Sequence, residues 1–169
     1  MFFLSNKALG VCNETKYLGH YLSDDLSDDR DIHRQCSKLY AQANMLKRKF
    51  HMCSPEVKAS LFRAYCTPLY TAHLWVRYKA KSMQRLNVAY NDALRLFMRV
   101  PRWHSASQLF VSLGLPTFKA LLRNLMYRFM CRLNESVNVI LMKLTDPAKS
   151  SFIYSSSLWR HWRKSLYVH

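Results

Sequence analysis

Three glycines, five prolines and ten acidic residues are all that these 169 residues contain. The glycine shortage excludes a phosphate-cradling nucleotide loop, which needs several glycines close together; Gly10, Gly19 and Gly114 stand far apart. With half the residues hydrophobic, the same scarcity suits a packed helical protein and argues against disorder or a collagen-like chain. No apolar stretch approaches the ~20 residues that a membrane span requires. Met1-Phe2-Phe3-Leu4 gives way at once to Ser5-Asn6-Lys7, too short for the apolar region of a signal peptide. Five cysteines (Cys12, Cys36, Cys53, Cys66 and Cys131) form an odd, scattered set. They are expected to be reduced thiols of an intracellular protein, with nucleus and cytoplasm both open, and not a disulfide framework.

What the sequence has in excess is positive charge. There are 26 Lys and Arg, a net charge of +16 and a pI near 10.0. The excess is uneven: residues 1–31 hold three bases against six acids, and residues 32–169 hold 23 bases against four. A body with so little internal counter-charge needs a polyanion to offset its self-repulsion. Nucleic acid is the first expectation and anionic lipid the second.

Hydrophobic spacing places the elements. Lys16 to Leu22 is short and aromatic-rich, as a strand should be. The acidic loop Ser23 to Asp29 supplies capping residues, and its carboxylates suit a helix N-terminus. Ile32, Cys36, Leu39, Ala43, Leu46, Phe50 and Cys53 form one stripe of a helix of about 24 residues, roughly 36 Å long. Ser54-Pro55-Glu56 stops that helix and starts another. Its stripe is expected to run Val57, Leu61, Ala64, Pro68, Ala72, Trp75, kinked at Pro68. Ser82 is the expected cap of a third helix carrying Met83, Leu86, Tyr90, Ala93, Leu94 and Phe97. Ser105-Ala106-Ser107-Gln108 has the pattern of a capping box, opening a short helix that ends at Gly114. Phe118, Leu121, Leu122, Leu125, Met126, Phe129 and Leu133 mark a fifth, with a weaker helix over 137–144. The reading is a mainly α protein, a helical bundle preceded by a short N-terminal β-hairpin. It divides into 1–27 (hairpin and acidic loop), 28–145 (helical domain) and 146–169 (Ser-rich linker and basic aromatic tail).

Several bases recur at helical spacing. Arg95, Arg99 and Arg102 are expected on one face, opposite Phe97; Arg128 and Arg132 lie four apart, and Lys47-Arg48-Lys49 is a compact cluster. Such a face can follow a phosphate backbone without reading bases. The competing reading is an ordinary solvated face. Asp24-Asp25 and Asp28-Asp29 invite comparison with the carboxylate pairs that hold magnesium in polymerases. They lack apolar strand neighbours to bury them, so helix capping is the better reading. His33, Cys36, His51 and Cys53 spread along too much of one helix to converge on zinc. Trp159, Trp162 and Tyr167 among tail bases could stack on bases or lie in a membrane interface.

Lys16-Tyr17-Leu18-Gly19 resembles the "KYLG" element of reverse transcriptases from LINE-type (non-LTR) retrotransposons, which are RNA-directed DNA polymerases. The order that follows is similar too: a helix like that over 32–53, then Leu61-Phe62-Arg63-Ala64-Tyr65-Cys66-Thr67-Pro68-Leu69-Tyr70 with Trp75, then Asn91-Asp92-Ala93-Leu94-Arg95, then Leu113-Gly114 with Pro116. The likeness spans roughly residues 1–145. It implies that Tyr17, Leu18 and Gly19 belong to a primer-grip hairpin, with Gly19 allowing close approach, and that the helices form a thumb. It also implies that the catalytic aspartates, with their Mg2+, belong to an upstream aromatic-Ala-Asp-Asp strand that these residues do not include. Met1-Phe2-Phe3 would match the last palm strand, and the palm and fingers would be absent partners. The expected function is a sequence-blind grip on template–primer duplex by Lys47, Arg48, Lys49, Arg95, Arg99, Arg102, Arg128 and Arg132, without cofactor or catalysis. The alternatives are a cationic protein binding anionic membranes, and a helical module awaiting a partner domain.

Overall fold

Three helices begin where a hydroxyl serves their free amides. Ser54, Ser105 and Thr117 accept from the amides of Val57, Gln108 and Ala120 at 3.5, 3.4 and 3.4 Å. These open α2 (Pro55–Cys66), α4 (Ala106–Ser112) and α5 (Phe118–Asn134), the first two as the sequence predicts. Two longer helices, α1 (Asp29–Lys49) and α3 (Ala80–Met98), complete the bundle. Strands β1 (Phe3–Leu4) and β2 (Lys7–Ala8) pair antiparallel, as do β3 (Glu14–Tyr17) and β4 (His20–Ser23). This is a computed structural model; it describes Gly10 and residues 12–139, with the backbone of β1 and β2. The expected helix end near 144, the linker and the aromatic tail lie outside the described residues.

The core is aromatic at its centre. Tyr90 is fully buried between Phe62 (centroids 5.5 Å), Phe118 (5.8 Å) and Phe110, on which it stacks at 5.2 Å. Its hydroxyl donates to the Pro116 carbonyl at 3.1 Å, so the one polar atom of the ring is satisfied. Ile32, Leu39, Ala43 and Leu46 of the expected α1 stripe are buried, with Cys36 and Phe50 partly so. Burial pushes the Cys66 thiol up to about 12, which makes it an inert packing group. All five cysteines are free.

Three boundaries differ from the sequence reading. Helix α1 stops at Lys49, four residues before Cys53, so that stripe overran the helix by one turn. Helix α2 ends at Cys66 and is not kinked at Pro68. Thr67 keeps helical backbone angles (φ −86, ψ −21), but Pro68 has no amide to donate to the next rung of the ladder, and the helix ends there. The chain then runs irregularly through a single 3-10 turn, Ala72–Leu74, to α3. In α2 the buried positions are Ala59, Phe62 and Cys66, while Val57 and Ala64 of the expected stripe are exposed. Ser82 is buried inside α3 and Lys79 occupies the cap position.

Candidate nucleic-acid interface

The tetrad Lys16 to Gly19 is the tip of the β3–β4 hairpin. Leu18 (φ +46) and Gly19 (φ +84) are both left-handed, the requirement of a two-residue hairpin turn whose twist matches its strands. A Cβ at Gly19 would meet nothing within 4 Å. Within the protein, then, it is the left-handed backbone that favours glycine at this position. Leu18, which reads in the sequence as part of a strand over Lys16 to Leu22, is a turn residue, 88% exposed, and Tyr17 is 63% exposed. The hairpin is instead held by the residues just beyond the tetrad. His20 lies with Nδ1 3.2 Å from Asp31 and Nε2 3.4 Å from Asp28, and Tyr21 carries the guanidinium groups of Arg30 and Arg34 over its ring at 5.5 and 5.3 Å.

The acidic stretch does not cap its own helix. Asp28 stands at the N-cap of α1 without a side-chain cap bond. Its Oδ2 accepts from the Val76 and Arg77 amides at 2.7 and 2.8 Å, and Asp29 accepts from the Lys79 amide at 2.9 Å. Asp31 is fully buried and accepts from Thr71 Oγ1 and from Trp75 Nε1 at 2.9 Å. Burial alone would raise its carboxyl, but these donors and His20 hold it below the ordinary range. Burial wins at Asp28, whose carboxyl lies above the ordinary range despite its two amides. Sequence reasoning missed Asp31 altogether. Its signal was present: an acid one step before the buried Ile32 turns inward with it.

The Asp28 and Asp29 ties bring the start of α3 to the start of α1, and the two helices then run parallel. His33 meets Arg85 at 3.3 Å and Tyr40 meets Asp92 at 3.5 Å, each pair 52 residues apart. The same offset carries Lys47 to Arg99. Lys47, Arg48 and Arg99, with Asn44 and His51, line one concavity of about 270 Å³. Lys49 is exposed but outside that lining. Among the described residues no carboxylate pairs with any of these four bases.

Arg95 and Arg102 do not join them. Asp92 binds both, at 3.0 and 3.2 Å, and Arg95 also donates to the His104 carbonyl at 2.9 Å. The expectation of one arginine face over 95–102 is corrected accordingly. Helix α3 ends at Met98, and Arg99 turns left-handed with φ +60, so the three side chains diverge. Asp92, three residues before Arg95, was the overlooked partner. Arg95, with its half-buried side chain, is a clamp on the 99–104 turn.

Arg128 and Arg132 are exposed on α5, above Tyr70 and His73 of the irregular segment. That segment also supplies Thr71 and Trp75 to Asp31 in the first turn of α1. These two arginines thus belong with the hairpin, at the end of the bundle opposite Arg99. Over a 21-residue α1 the separation is about 30 Å. The expected single basic surface is two surfaces, at opposite poles. No protein-family model matches the chain, and no curated protein and no solved structure matches it.

Proposed function

We propose that this chain is a thumb-like, nucleic-acid-binding portion of a non-LTR retrotransposon reverse transcriptase, gripping template–primer duplex by its phosphates. The observation that carries the reading is the convergence of Lys47, Arg48 and Arg99 from two parallel helices on one concavity, with no carboxylate paired to them among the described residues. Donors so grouped suit a phosphate, whose charge they neutralise without regard to sequence. The order of motifs after Lys16-Tyr17-Leu18-Gly19 supplies the family. Catalysis is assigned elsewhere in such a polymerase: Asp28, Asp29 and Asp31 are engaged with backbone and buried donors, and magnesium would belong to an upstream palm. The reading gives these residues no cofactor.

A rival reading makes the bases mere partners of two helix C-termini, whose negative ends they neutralise. The variant Lys47→Ala/Arg48→Ala/Arg99→Ala separates the two. Titrated against a labelled duplex between 50 and 200 mM salt, it should bind more weakly. Its log–log salt slope should be shallower by up to about three phosphate equivalents. A folded variant with unchanged affinity and slope returns the bases to the helix ends and removes the grip.

A further inference from the structure

At the pole opposite Arg99 lies a larger concavity, about 690 Å³, between α5 and the irregular segment after α2. Its lining joins two arginines, Arg128 and Arg132, to two tyrosines, Tyr70 and Tyr127, and to His73. Tyr70 is 80% exposed and Tyr127 56%, although aromatic rings of this size ordinarily contribute to burial. Among the described residues the lining contains no acid. Glu135, which acts on Tyr127, stands outside it. His73 packs on Phe129 at 4.4 Å, and burial together with Arg132 keeps its imidazole below the ordinary range. The concavity thus sets exposed aromatic rings beside two arginines, and burial opposes a charge on His73.

Phosphate grip alone does not call for such exposed rings. A duplex keeps its bases stacked on one another, with only groove edges presented. An unpaired strand offers both features that this concavity matches: a free π-face for tyrosine and a phosphate for each arginine. We propose that this pole binds an unpaired stretch of nucleic acid, stacking a base on Tyr70 or Tyr127 while Arg128 and Arg132 hold the adjoining phosphates. The inference rests on the function proposed above only for the class of ligand; the site, the residues and the strandedness are separate. A chain with both poles engaged would sit where duplex meets single strand.

The test uses the full chain with three fluorescein-labelled probes of equal length at one salt concentration: an oligothymidylate, an abasic strand with the same phosphates, and a duplex. Tyr70→Ala/Tyr127→Ala should weaken oligothymidylate binding by at least about fivefold, the lower bound for one lost stacking contact. Duplex affinity should stay within about twofold, since the change leaves the opposite pole untouched. Tyr70→Phe/Tyr127→Phe should bind like the parent, because the ring and not the hydroxyl stacks. The abasic strand should bind the parent protein more weakly than oligothymidylate and ignore the tyrosine changes. Equal binding of abasic strand and oligothymidylate would overturn the proposal, as would an oligothymidylate affinity indifferent to the double alanine variant. If Lys47→Ala/Arg48→Ala/Arg99→Ala leaves duplex binding intact while the tyrosine dependence persists, the duplex grip falls and this site stands.

Discussion

Arg99 holds a backbone conformation, φ +60 and ψ 33, that side chains with a Cβ rarely adopt. Its amide still closes the helix on the Arg95 carbonyl, which is the job glycine usually does at a helix C-terminus. An arginine there carries strain of about 1 kcal/mol, and its guanidinium reaches the concavity shared with Lys47 and Arg48. Stability and binding are thus set against each other at one residue. Arg99→Gly should raise the unfolding free energy, read from urea titration, by about 1 kcal/mol less the added entropy of the unfolded glycine, while weakening duplex binding. Loss of both together would show that the side chain, not the strain, governs the turn. None of this was legible in the sequence, where Arg99 reads as one step of a helical spacing. A left-handed residue other than glycine leaves no trace in composition, and Leu18 went unrecognised for the same reason.

Elements were legible where their signal is local. The Ser54 and Ser105 caps and the stripes of α1, α3 and α5 depend on residues within a turn or two, and they lie close to where the sequence puts them. The acidic stretch before α1 was misread because its partners are 48 to 50 residues away. It reads as capping for its own helix, and it secures the entry to another. Asp31 is the most consequential of these acids, since three side chains from the hairpin and the 71–75 segment converge on its fully buried carboxylate. Asp31→Ala should cost about 3–5 kcal/mol in urea unfolding, because His20, Thr71 and Trp75 would be left buried without their acceptor. Asp24→Ala, in the exposed part of the same loop, should stay within about 0.5 kcal/mol. Equal effects would mean that the buried cluster is no more than a local turn.

At the scale of the whole molecule, charge excess was legible and its distribution was not. Counting shows that the body is basic; only the parallel pairing of α1 and α3 decides that Arg99 stands with Lys47 and not with Arg95. That pairing follows from the route of the chain between α2 and α3, and such a route is set by packing, not by periodicity. Asp28 and Asp29 fix where the route ends, and this has a consequence for motion. The amides of Val76, Arg77 and Lys79 lie outside every helix, yet each is closed by a carboxylate at the head of α1. They cannot be released by fraying of a nearby turn. Release requires α1 and the connector to part, which also takes Thr71 and Trp75 from Asp31 and so opens the polar cluster that holds His20 of the hairpin. In native-state hydrogen exchange these loop amides should show protection factors close to one another and to the hairpin's ladder amides, as one cooperative opening. Exchange at the rate of free peptide, or in an order unrelated to the hairpin, would mean that the two ends of the connector open independently. The polar cluster then makes a single latch of pieces that the chain order keeps far apart, so the tetrad at the hairpin tip and the start of α3 live or melt together.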